Sequence, residues 1–74
     1  MATATTLSGV QQVGETAGEV WQALDENGPL SVAKLSKLTG APRDVVLMAI
    51  GWLAREDKIE LEEGNRGRVV ALRI

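Results

Sequence analysis

The chain has 74 residues, eight basic and ten acidic side chains for a formal net charge of −2, and neither cysteine nor histidine. A domain this short buries only about 60% of the surface of its unfolded chain, so there is room for one core and no second lobe. The absence of thiols and imidazoles removes the usual zinc sites, disulfides, thiol nucleophiles and histidine bases, and the sequence predicts a non-enzymatic protein without metal or cofactor.

Met1 to Gln12 is rich in Ala, Thr, Ser and Gly, with Leu7 and Val10 as its branched apolar residues. It offers little to bury, and residues 1–12 are expected to form a flexible N-terminal tail ahead of a domain spanning 13–74. The start lacks a basic leader and no apolar run approaches twenty residues, so the expectation is a cytoplasmic protein that does not span a membrane. From Val13 the apolar residues Val13, Ala17, Val20, Trp21 and Leu24 recur at helical spacing, ending near Glu26 or Asn27. Gly28 can close this helix in the left-handed conformation and Pro29 prevents its continuation. Gly14 and Gly18 weaken it, and their spacing suggests close backbone approach by another helix, with simple tolerance as the alternative.

Leu30 is a short extended link, and Ser31 can cap a second helix whose apolar face is Val32, Leu35 and Leu38. Gly40 ends it, and Thr39 to Pro42 lead directly into a third helix, the arrangement of a helix-turn-helix. Pro42 presets φ where that helix begins, and Asp44 suits the positive end of its dipole. Val45, Val46, Ala49, Ile50, Trp52 and Leu53 fall on one broad apolar arc. Trp21 and Trp52, the only aromatic residues, are therefore expected as core anchors, each burying on the order of 200 Å². After Asp57 the period changes to two: Ile59 and Leu61, then Val70, Leu72 and Ile74, flank the polar turn Glu63 to Gly67. Two strands joined by a glycine-rich tip make a hairpin.

Three helices followed by this hairpin define a mainly α fold with a small β component (α+β), the winged helix-turn-helix. The run Gly51-Trp52-Leu53-Ala54-Arg55-Glu56-Asp57-Lys58-Ile59, with Ala17-Gly18 and Val20-Trp21 upstream, resembles a small prokaryotic family of stand-alone winged helix-turn-helix domains of unknown function. The resemblance covers about residues 13–74. It implies the fold and, by analogy, nucleic-acid binding, and it carries no site residues across.

Function divides over helix 43–56, the recognition helix of such a fold. Residues 1–30 have a net charge of −4, residues 31–58 of +2, and the remainder is balanced. A double-stranded DNA-binding regulator would use Arg43 and Arg55 at bases or phosphates, with Lys34, Lys37, Arg66 and Arg68 on the backbone. The other outward positions of the helix, Leu47, Met48, Gly51 and Ala54, form a smooth apolar strip that suits a protein partner or homodimer better than a major groove. The sequence supports DNA binding first, narrowly, and a protein-interaction or self-association module second.

Overall fold

The computed structural model describes residues 2–64 and 67–73, with side chains from Gly9 onward. The elements run α1 (Ala2–Asn27), β1 (Leu30–Ser31), α2 (Val32–Thr39), α3 (Arg43–Arg55), β2 (Ile59–Gly64) and β3 (Gly67–Leu72). This is the expected winged helix-turn-helix, three helices followed by a hairpin wing. The Leu30 link adds a short third strand, pairing antiparallel with β3 so that Leu30 lies opposite Val70, in a sheet of order β1-β3-β2. Within the hairpin the register runs from Ile59 opposite Leu72 to Gly64 opposite Gly67. Residues 65–66 at the tip of the predicted turn, Arg66 included, and Ile74 of the predicted second strand lie outside the described residues.

Local chemistry places the ends of these elements. Ser31 Oγ accepts from the backbone N–H of Lys34 at 3.1 Å, satisfying one free donor of the first turn of α2. At the other end Gly40 adopts φ 74° and its N–H returns to the Ser36 carbonyl, a left-handed stop that a Cβ would strain. Hydroxyls tie down the turn into α3: Thr39 Oγ1 accepts from the Ala41 N–H, and Ser36 Oγ donates to the Ala41 carbonyl. Beyond α3, Asp57 takes φ 64° and its carboxylate pairs with Arg73 after β3, linking the end of the helix to the end of the sheet.

Ala17, Val20 and Leu24 of α1, Leu35 of α2, Val46, Ala49, Ile50 and Leu53 of α3, and Ile59 and Val70 of the sheet form one core. Helix α1 starts at Ala2, so helical backbone extends over residues read as a tail, and Val10 and Val13 border a groove with Val45 and Met48 of α3. The expectation that changes is that of the tryptophans. Trp21 and Trp52 are 41% and 43% exposed, not core anchors. At 100° per residue Trp52 stands about 90° from the centre of the buried arc of α3, and Trp21 is similarly displaced on α1. Val20, Leu24, Val46, Ile50 and Leu53, with Ala17 and Ala49, fill the core that α1 and α3 share, and the two indoles lie at its rim.

Candidate interaction surface

The outer face of α3 is the candidate site, and the core places it. Burial of Val45, Val46, Ala49, Ile50 and Leu53 fixes the rotation of the helix, so Arg43, Leu47, Met48, Gly51, Ala54 and Arg55 point to solvent. Leu47 and Met48 are 47% and 50% exposed. The predicted strip therefore exists, but the tertiary structure divides it. On the wing side, Arg43, Leu47 and Gly51 line a groove with Leu61, Glu63 and Arg68 of the hairpin. On the opposite side, Met48 faces the Val10 to Val13 stretch of α1, and Trp52 lies across a second groove from Gly14, Gly18 and Trp21.

The basic candidates are spread out. Arg43 and Arg68 line the same groove, whereas Arg55 sits beside Trp52 and Glu56 at the far end of α3. Arg43 and Arg55 are twelve residues apart on one helix, about 18 Å along its axis. Arg68 Nε donates to Glu63 Oε2 at 2.8 Å, so the wing arginine that DNA would need already faces a carboxylate. Lys34 and Lys37 project from exposed positions of α2, and among the described residues neither they nor Arg43 or Arg55 enter an ion pair. No cluster of three or more acidic, histidine or cysteine side chains among the described residues could hold a metal, and no helix there is long and apolar enough to cross a membrane.

Sequence reasoning missed Trp21, Trp52, Leu61 and Leu38 as surface residues, the last expected on the apolar face of α2 but half exposed at its end. For the tryptophans the angular offset from the arc centre was the available signal. For Leu61 there was none: it points to the same sheet face as the buried Ile59 and Val70, but an open groove separates it from Leu47 and Gly51 of α3. The close approach anticipated at Gly14 and Gly18 is not met within the chain, because a Cβ built at either glycine has nothing within 4 Å.

A three-helix core, a helix presented outward between α1 and a β-hairpin, and the turn at Gly40 to Pro42 define the winged helix-turn-helix class. Residues 9–72 match the model of the winged helix-turn-helix domain family DUF2582, and the chain belongs to that family. It is 40% identical over 65 residues to the uncharacterized protein MJ1608 of Methanocaldococcus jannaschii, an alignment covering 84% of this chain and 91% of that one. It is also similar to the solution NMR structure of protein BT2368 from Bacteroides thetaiotaomicron, with TM-score 0.76 and 34% identity over 84% of this chain and 76% of the other.

Proposed function

We propose that this chain is a non-catalytic protein-interaction module that docks through the outer face of α3. The observation that carries the reading is the exposure of Leu47, Met48 and Trp52 along the helix that a DNA-reading winged helix would insert into the major groove. Base edges are read by Arg, Lys, Asn, Gln, Ser or Thr, and α3 offers only the two widely separated arginines. Apolar and aromatic side chains are instead what protein interfaces concentrate at their centres. The wing adds Glu60, Glu62 and Glu63 on β2, which would repel phosphates.

DNA binding is the second reading, and a specific observation favours it. Lys34, Lys37, Arg43 and Arg55 are in no ion pair among the described residues, and the helix-turn-helix places two of them on α3. One experiment separates the two. The double substitution Leu47→Ser with Met48→Ser removes exposed apolar surface and leaves the core intact, so it should abolish protein association while the melting temperature holds. Duplex DNA titrated at several salt concentrations should show weak affinity. If binding were tight and salt-steep, with each of Arg43→Ala and Arg55→Ala lowering the slope by about 1 and the serine pair changing nothing, the docking reading would fail.

A further inference from the structure

We infer that the partner is a second copy of this chain, docked about a two-fold axis on the flank that α1 and α3 share. This rests on α3 being a protein-docking helix and names what it docks to. The flank combines two features found nowhere else among the described residues. Trp21 and Trp52 stand out of it as large apolar knobs, and between them runs a groove floored by Ala17 and Leu53 and bordered by Gly14 and Gly18. The two glycines, one turn apart on α1, present bare backbone with nothing over it. A two-fold interface must be self-complementary, each copy offering the same surface to the other. A face that carries both the knobs and the notch meets that requirement, since the indoles of one copy can lie over the glycines of its mate.

Area and charge agree with a homodimer. Val10, 60% exposed, and Met48 continue the two indoles along the flank. Together the four side chains leave on the order of 400 Å² per copy in water, about half of the ~800 Å² per partner of a standard interface. The groove and its rim of Arg55, Glu56 and Lys58 supply further area, so the dimer is reversible and sensitive to dilution. Each copy has a net charge of −2, which disfavours association over most of the surface. On this flank Glu56 is paired with Lys58 at 3.7 Å, and Glu15, Glu19 and Glu26 of α1 are turned more than 100° away from Trp21 around the helix. Asp25, about 40° from Trp21, is the α1 acid that borders the flank and leaves a repulsive contribution that keeps the dimer weak.

The test is sedimentation equilibrium of the full chain from low micromolar to submillimolar concentration, with tryptophan emission recorded on the same samples. The wild type should pass from monomer toward twice the monomer mass, its emission shifting to the blue as the half-exposed indoles leave water. Gly18→Glu places a carboxylate in the groove at a position with free space and a better helix former than glycine, so the fold survives. It should stay monomeric throughout and keep the red-shifted emission. Trp52→Glu should behave likewise, and Leu61→Ser, at an exposed position of the wing away from this flank, should still dimerise. A wild type that is monomeric over the whole range, or a Gly18→Glu variant that dimerises like the wild type, overturns the homodimer. A monomeric wild type leaves α3 open to a different protein; salt-steep duplex binding lost in Arg43→Ala removes the docking reading whatever the oligomeric state.

Discussion

Leu35→Ala tests the packing account most directly. Leu35 is the largest of the fully buried side chains, at 0% exposure, on a short α2 that packs against α1, α3 and β3. Truncation removes three heavy atoms and leaves a void that three surrounding elements must collapse to fill, a cost of about 3–4 kcal/mol. A chain of 74 residues has a total stability of roughly 4–11 kcal/mol, so this single change uses up a large share of it. The melting temperature should fall by about 12–32 °C, or the domain should fail to fold. Trp52→Ala is the matched comparison, because tryptophan is much larger but here 43% exposed. Its removal opens onto solvent and leaves no closed cavity, so the cost should be about 2–3 kcal/mol, the transfer of its buried part alone. Urea unfolding of both variants, followed by circular dichroism below the dimerisation range, measures the difference. If Trp52→Ala proved as damaging as Leu35→Ala, the tryptophan would be a core anchor after all and the assigned rotation of α3 would be wrong.

Gly40→Ala should cost about 1–2 kcal/mol by forcing a Cβ into the left-handed conformation at φ 74°, with urea midpoints reading the loss and Gly40→Asn recovering part of it. Ser31→Ala should cost about 1 kcal/mol by freeing the Lys34 N–H, and amide exchange in the first turn of α2 should accelerate; an unchanged rate would mean the cap does not hold that turn.

The order of elements was legible in the sequence because each boundary has a local cause. Ser31 caps α2, Gly28 and Gly40 stop helices at positive φ, and the change from a period of about four to a period of two after Asp57 separates helix from strand. Those signals act within a few residues and do not depend on what packs against them. The inward residues of α3 were likewise legible, since Val45, Val46, Ala49, Ile50 and Leu53 are buried as their spacing requires. How far around each helix burial extends was not. Trp21 and Trp52 sit at the edges of their arcs, and whether an edge position is covered depends on what packs beside it in the folded chain. The same holds for Val10 and Val13, which border a groove with Val45 and Met48 of α3, more than thirty positions away in the chain. Local chemistry thus determined which elements form and where they stop. Only the tertiary structure decided which apolar side chains are left in water, because a residue's exposure depends on the elements that pack beside it.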